Sequence, residues 1–156
     1  MKIILTVIGK TSEAYLREGI EKYASRIPRY VPFEIKTLPD VKMKAPSAER
    51  QKEAEGQMLL ASLRPGDSLV LLDERGRELT SRQFAGYLDR KMSILPANLV
   101  LVIGGPYGFS KAVYDRADEM LSLSKMTFPH ELIRLFITEQ IYRAMTILRG
   151  EPYHHD

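Results

Sequence analysis

The sequence lacks cysteine entirely and has only three histidines among its 156 residues. The absence of cysteine excludes disulfide bonds, thiolate nucleophiles and zinc sites of the cysteine type. The histidines form no HExxH motif, so a metal-dependent enzyme is not expected. Any chemistry must therefore come from hydroxyl, carboxylate, guanidinium, imidazole and backbone groups.

Long hydrophobic runs and a strong excess of one charge are absent as well. No apolar segment reaches the roughly 18 to 20 residues of a membrane span, and the amino-terminal MKIILTVIGK lacks the apolar length and the cleavage site of a signal peptide. The formal net charge is only +3, with acidic and basic residues mixed along the chain. We expect a cytoplasmic protein without membrane association, whose charge permits a polyanionic partner without requiring one.

Apolar residues make up 44% of the chain, which is enough for one domain over residues 1–156 with a hydrophobic core. Aliphatic runs predict strands, and segments with apolar residues at helical spacing lie between them. The predicted strands cover residues 3–8, 33–37, 68–72, 99–103 and 120–123. This alternation predicts an α/β fold with a mostly parallel sheet flanked by helices, in which ligands bind beyond the carboxyl ends of the strands.

Polar residues mark where several helices begin. Ser47 is predicted to cap the second helix, and Thr80 with Gln83 forms a capping box for the third. For the first helix, Thr11 or Ser12 is the predicted cap.

The last predicted helix, residues 130–149, ends at Gly150 and carries apolar residues around most of its circumference. Because one sheet face covers only part of such a helix, we expect a second copy of the chain to cover the rest. The alternative is a central helix wrapped by its own domain. On its polar edge Glu139 and Arg143 are four residues apart, the spacing of a helix salt bridge.

Three predicted loops follow strands, at residues 73–77, 104–109 and 124–129. The second loop fails the phosphate-binding patterns because Pro106 stands where GxGxxG has glycine and removes a backbone donor. It is either a ligand site or a plain strand-to-helix turn. In the first loop, Asp73 and Glu74 are an acid–base pair, half of a magnesium site, or a solvated turn.

The segment EPYHHD at residues 151–156 would ordinarily be expected to fray. Pro152 and Tyr153 instead favour a docked segment, because a packed aromatic ring anchors a terminus. Docking would let the adjacent His154 face a site.

Four blocks in order carry a resemblance to a known family: LLDERG at 71–76, LVLVIGGPYGFS at 99–110, LSLSKMTFPHELIRLFITEQIYRA at 121–144 and PYH at 152–154. Together they closely resemble the RlmH family of the SPOUT class of RNA methyltransferases. The resemblance implies methylation of N3 of a pseudouridine in helix 69 of 23S rRNA, with S-adenosylmethionine as methyl donor. It also implies a homodimer and a SPOUT-type fold with a deep C-terminal trefoil knot.

The resemblance also assigns residues. It implies cofactor binding by residues of all three loops: Leu72, Gly105, Ser124, Lys125, Met126, Thr127, Phe128 and Pro129. Three residues are the catalytic candidates. Arg143 would stabilise the anion of the target base or hold an RNA phosphate, and Tyr153 would stack on the base or anchor the chain terminus. His154 is the candidate for a group that titrates near neutral pH.

Basic residues of one chain are expected to join the RNA site of the other, and the assembled ribosome to supply much of the recognition. These residues are Lys42, Lys44, Arg50 and Lys52. Two other functions remain open: a non-catalytic α/β nucleotide-binding or signalling module with Asp73 and Glu74 as its acidic site, and a dimeric ribosome-associated factor without chemistry.

Overall fold

The computed structural model describes residues 1–42 and 47–156. The expected RNA contact of Lys44 lies outside these residues. In chain order the strands and helices are β1 (Ile3–Ile8), α1 (Ala14–Ala24), a short 3₁₀ helix (Ile27–Arg29), β2 (Phe33–Leu38), α2 (Ala48–Ser62), β3 (Ser68–Glu78), α3 (Ser81–Ile94), β4 (Leu99–Ile103), α4 (Lys111–Arg116), β5 (Glu119–Ser122) and α5 (His130–Leu148).

The strands form one sheet in the order β2-β1-β4-β3-β5, and every pairing in the described part of the chain is parallel. In the centre, Leu101 of β4 lies between Leu5 of β1 and Val70 of β3. All three side chains are fully buried, as expected for parallel strands covered on both faces. The predicted α/β class is confirmed, whereas the trefoil knot stays a prediction.

Successive side chains of each strand point to opposite faces, so the sheet supports two hydrophobic clusters. One contains Leu5 and Leu101 together with Leu88 of α3 and Ile137 of α5. The other cluster contains the alternate strand residues, such as Val102, which point to the opposite face of the sheet. These residues pack with Leu59 of α2 and Val113 of α4. Helices α3 and α5 therefore cover one face and α2 and α4 the other, with α1 packed on α5.

Two of the three predicted caps are confirmed. The Ser47 hydroxyl accepts from the backbone N–H of Arg50, and Thr80 and Gln83 form the reciprocal capping box. The third, Thr11 or Ser12, is wrong: the residue before α1 is Glu13, which makes no capping bond.

Contacts with α5 explain this difference. The Ser12 hydroxyl donates to Glu131 Oε2 at 2.8 Å, and Thr11 Oγ1 accepts from Arg134 at 3.0 Å. Both side chains thus hold α5 rather than the start of α1.

The prediction that β3 ends at Leu72 is also wrong, since the strand continues to Glu78. Leu121 of β5 pairs with Leu72 and again with Arg77, so residues 73–76 leave the ladder between these two pairings. Glycine at position 76 lets β3 come back against β5, because a β-carbon there would lie only 2.5 Å from the carbonyl carbon of Leu121. The expected loop is therefore a bulge within a longer strand.

Helix α5 buries residues against the sheet and leaves other apolar residues half-buried, among them Leu132, Leu135 and Phe136. The expectation that a second copy covers this face stays a prediction. None of the helices in residues 1–42 and 47–156 has both the length and the apolarity to cross a membrane.

Replacing Leu101 by alanine is expected to lower the free energy of unfolding by about 3 kcal/mol, because the side chain is fully buried at the centre of the sheet. Chemical denaturation at fixed protein concentration measures this change. Ile94→Ala is the control: Ile94 is 69% exposed, so its loss should cost under ~1 kcal/mol. Equal losses for both variants would contradict the assignment of Leu101 to the core.

Candidate functional site

The three loops meet at the carboxyl edge of the sheet and enclose a cavity of about 610 Å³, here called the glycine-loop cavity. Its walls come from the bulge of β3, the β4–α4 loop and the β5–α5 loop. The lining residues from these segments include Leu72, Asp73, Ile103, Gly104, Gly105, Tyr107, Leu123, Ser124, Met126, Thr127 and Phe128. Sheet geometry alone thus predicted which loops come together.

In the β4–α4 loop at residues 104–109, here called the glycine loop, Gly104, Gly105 and Gly108 line the cavity beside Pro106 and Tyr107. The Gly108 N–H donates to the Gly105 carbonyl at 3.1 Å, and Gly108 has a positive φ of 82°, which glycine adopts without strain. A β-carbon on Gly105 would lie 2.7 Å from Glu55 Oε1, and one on Gly104 would lie 3.1 Å from the Phe109 ring. Glycine at 104 and 105 therefore lets the main chain pack directly against Phe109 and Glu55, and both glycines also line the cavity.

Six of the eight predicted cofactor residues line this cavity: Leu72, Gly105, Ser124, Met126, Thr127 and Phe128. The other two are not among its lining residues. Lys125 has an 87% exposed side chain 3.8 Å from Glu78, and Pro129 precedes the first residue of α5.

Leu123 is a lining residue that the sequence analysis did not select. It continues the apolar alternation of β5 to the carboxyl edge of the sheet, where a ligand is expected. That alternation was the signal available in the sequence.

The Asp73 carboxylate is already occupied by donors from the protein. Burial raises its pKa, but hydrogen bonds from the Tyr114 hydroxyl and from the backbone and side chain of Arg75 lower the pKa overall. Arg75 also lies over the Tyr114 ring, 4.7 Å from its centroid. Asp73 therefore fastens the bulge of β3 to α4, and this role does not favour the acid–base interpretation of Asp73 and Glu74.

Among the described residues, no three His, Cys, Asp or Glu side chains are grouped to hold a metal ion.

A second cavity of about 320 Å³, the helix cavity, lies beside the first between β5, α3 and α5. Five residues line both cavities: Leu72, Ser122, Leu123, Ser124 and Phe128. Glu139 and Gln140 of α5 form part of its far wall. The shared wall brings this face of α5 next to the glycine-loop cavity.

Glu139 is the centre of a group of side chains that we call the tail cluster: Glu139, Arg143, Tyr153 and His154. Its Oε1 accepts from Arg143 Nε at 2.9 Å and from the Tyr153 hydroxyl at 3.0 Å. The Arg143 guanidinium carbon also lies 4.8 Å from the centroid of the Tyr153 ring. The predicted salt bridge between Glu139 and Arg143 is confirmed, and it also anchors the carboxyl-terminal segment.

The segment 151–156 is docked, as Pro152 and Tyr153 indicated. The Tyr30 hydroxyl donates to Glu151 Oε2 at 2.9 Å, and the rings of Tyr142 and Tyr153 meet edge to face with centroids 4.9 Å apart. Burial, followed by hydrogen bonds with Tyr23 and Glu139, raises the pKa of Tyr153 well above its ordinary value. Tyr153 therefore stays protonated near neutral pH and is not a proton acceptor there.

His154 is held from both sides of its ring. Arg143 Nη1 lies 3.1 Å from Nδ1, and Asp156 Oδ1 lies 2.8 Å from Nε2. Because a guanidinium only donates and a carboxylate only accepts, both bonds form together in the neutral ring that carries its proton on Nε2. The one acceptor of His154 is thus used by Arg143.

Arg82 of α3 completes this arrangement, with its Nε 2.7 Å from Asp156 Oδ2. Hydrogen bonds from His154 and Arg82 lower the pKa of Asp156, which favours its carboxylate form. Neither Arg82 nor Asp156 was predicted as a site residue, because no sequence pattern connects two positions 74 residues apart.

The basic residues of the expected RNA contact are only partly described. Lys42 and Arg50 are exposed, and Lys52 pairs with Glu49 at 3.0 Å. Lys52 also lines a shallow depression with Tyr107 of the glycine loop. These positions leave Lys42 and Arg50 available to a polyanion.

Comparison with known proteins gives consistent matches over nearly the whole chain. The family described as "Predicted SPOUT methyltransferase" matches residues 1–154. Proteins named ribosomal RNA large subunit methyltransferase H are 58% identical in Parabacteroides distasonis, over all of both chains, and 49% identical in Cytophaga hutchinsonii, over 99% of this chain and all of that protein.

Among solved structures, a probable methyltransferase from Bordetella pertussis Tohama I has a similar fold. Its TM-score is 0.55 at 15% identity, over 92% of this chain and 93% of that one. At this identity the likeness concerns the fold alone.

The tautomer of His154 can be tested by ¹⁵N NMR above neutral pH. The wild-type ring is expected to carry its proton on Nε2, with no measurable Nδ1–H form, because Arg143 donates to Nδ1. In the double variant Arg143→Met with Asp156→Ala, the donor to Nδ1 and the acceptor from Nε2–H are both lost, and an Nδ1–H population should appear. A predominant Nδ1–H form in the wild type would contradict the contact between Arg143 and His154.

Proposed function

The chain belongs to the SPOUT methyltransferase family, and from this premise we propose that it methylates large-subunit ribosomal RNA. The proposed target is N3 of a pseudouridine in helix 69 of 23S rRNA, and the proposed methyl donor is S-adenosylmethionine. The observation that carries this proposal is that the glycine-loop cavity shares a wall with the helix cavity, which Glu139 of the tail cluster lines.

The glycine-loop cavity fits the proposed donor in size and in chemistry. Its volume of about 610 Å³ is within the range of small-molecule sites. Leu72, Met126 and Phe128 offer apolar walls, and the main chain of Gly104 and Gly105 lines the cavity where the edge of an adenine ring would meet it. When bound, S-adenosylmethionine supplies an electrophilic methyl group on a sulfonium.

The chain itself has to hold the target base and manage the proton that leaves N3. Arg143 keeps N–H groups beyond those used by Glu139 and His154, and these are directed to the developing anion of the base or to an RNA phosphate. Tyr153, protonated and packed on Tyr142, anchors the segment that carries His154.

His154 is the proposed proton acceptor, and the contact with Arg143 sets a condition on this role. Its Nδ1 becomes free to accept a proton only when Arg143 Nη1 turns away from the ring. An RNA phosphate that attracts Arg143 satisfies this condition, so binding of the RNA frees Nδ1 of His154 to accept the proton from N3.

Several broader features belong to the same proposal. The enzyme acts as one domain over residues 1–156, as a cytoplasmic homodimer with a C-terminal trefoil knot. The half-buried apolar residues of α5 support a covered second face. Lys42 and Arg50 reach the RNA at the site of the other copy, and the assembled ribosome is the preferred substrate because the net charge of +3 gives little affinity for free RNA.

A methyl-transfer assay on ribosomes that lack the modification tests the activity, with mass spectrometry of the nucleosides to identify the product. Wild-type protein is expected to methylate a pseudouridine at N3. Arg143→Ala and His154→Ala should each lower the rate about a hundredfold or more while binding of S-adenosylmethionine is kept.

Arg64→Ala is the matched control, since Arg64 is exposed between α2 and the start of β3, at the edge of the sheet opposite the cavity. It should retain the wild-type rate. Ribosome binding without methyl incorporation would instead identify a ribosome-associated factor without chemistry. Methylation of naked RNA at the same rate would overturn the preference for the ribosome.

Replacing Gly105 by alanine is expected to weaken binding of S-adenosylmethionine at least about tenfold in calorimetry, because the new β-carbon would lie 2.7 Å from Glu55 Oε1 and displace the loop. The control is Gly86→Ala within α3, where the nearest atom to a β-carbon is Arg90 Nη1 at 3.5 Å. Wild-type affinity in Gly105→Ala would exclude this loop from the donor site. Binding of Mg²⁺ or a nucleoside triphosphate alone would favour the nucleotide-binding module.

A further inference from the structure

Glu55 of α2 is a buried carboxylate that the proposed mechanism does not use. The residue is only 4% exposed to solvent. Oε2 accepts from Gln51 Nε2 at 3.0 Å, whereas Oε1 has no hydrogen-bond partner among the described residues. Burying a charge without a partner is unfavourable, so the position of Glu55 calls for a reason.

The carboxylate is packed directly against the glycine loop. A β-carbon added to Gly105 would lie 2.7 Å from Glu55 Oε1 and 2.8 Å from Oε2, so both oxygens face the α-carbon of this glycine. Gly105 itself lines the glycine-loop cavity. The main chain of one residue therefore separates the carboxylate from the cavity.

Within residues 1–42 and 47–156, no cation forms an ion pair with this carboxylate. Among the ion pairs of the described residues none includes Glu55, and Lys52, three residues earlier on α2, pairs with Glu49 at 3.0 Å. Among the described residues, the carboxylate therefore has no cationic partner on the side of the loop away from the cavity. In a site of low dielectric constant such a charge acts over several ångströms.

We propose that Glu55 is a positioning residue that favours a positively charged ligand in the glycine-loop cavity, acting through the thin wall at Gly105. This inference rests on the proposed function. The methyl donor carries a positive sulfonium, whereas the product S-adenosylhomocysteine has a neutral thioether. The carboxylate therefore stabilises the donor more than the product, which promotes exchange of product for donor after each transfer.

Calorimetry with both ligands tests this selectivity in Glu55→Gln, where the shape of the side chain and its bond to Gln51 are kept and the charge is removed. Affinity for S-adenosylmethionine should fall about tenfold and affinity for S-adenosylhomocysteine less than about twofold. Glu53→Gln is the matched control, because Glu53 is exposed on the same helix. It should leave both affinities unchanged.

Glu55→Asp provides a second variant if the glutamine variant does not fold. It keeps the charge and should keep the preference for the donor over the product, even if both affinities fall. An equal loss of affinity for the two ligands in Glu55→Gln, or no loss, would overturn the role proposed for Glu55 while leaving the methyltransferase proposal intact. Failure of the wild type to bind either ligand would overturn both.

Discussion

The guanidinium of Arg134 fixes the longest helix to the sheet, and the site depends on this contact. Arg134 is only 3% exposed and donates from Nη2 to the Ile8 carbonyl at 2.8 Å and from Nη1 to the Gly9 carbonyl at 2.9 Å. Burial lowers its pKa, while Glu131 and Asp40 oppose this shift. Because these carbonyls end β1 at the carboxyl edge, Arg134 sets the height of α5 above the edge where the loops meet. The loop before α5 walls the cavity, and Glu139 and Arg143 lie further along the same helix.

The three segments that line the cavity reach the carboxyl edge of the sheet with different backbone conformations. The bulge of β3 leaves and rejoins the ladder at Leu121, the glycine loop folds back through the Gly105–Gly108 bridge, and the β5–α5 loop leads into α5 at Pro129. None of the three provides the anion cradle of a phosphate-binding loop. Their common property is close approach of the main chain to the cavity, which suits recognition by shape and by backbone hydrogen bonds.

Local sequence signals predicted the parts of this structure that depend on neighbours along the chain. The strands at 3–8 and 99–103, the caps at Ser47 and Thr80 and the glycine loop follow from apolar patterning and turn chemistry. The errors have a different origin. Ser12 does not cap α1 because its hydroxyl bonds to Glu131, 119 residues away. Strand β3 extends beyond Leu72 because it pairs again with β5. Glu55 and the pair of Arg82 with Asp156 likewise depend on tertiary contacts that no local pattern records.

The main chain at Gly105 also has a consequence for the chemical stability of Glu55 near a methylating sulfonium. A carboxylate touching an alkylating sulfonium would itself be a nucleophile and could be esterified. With one peptide thickness between them, Glu55 can exert its field on the cavity without presenting its oxygens to the methyl group. In the proposed donor site, the missing side chain of Gly105 lets the charge of Glu55 act on the bound donor, while the main chain keeps the carboxylate oxygens away from the methyl group.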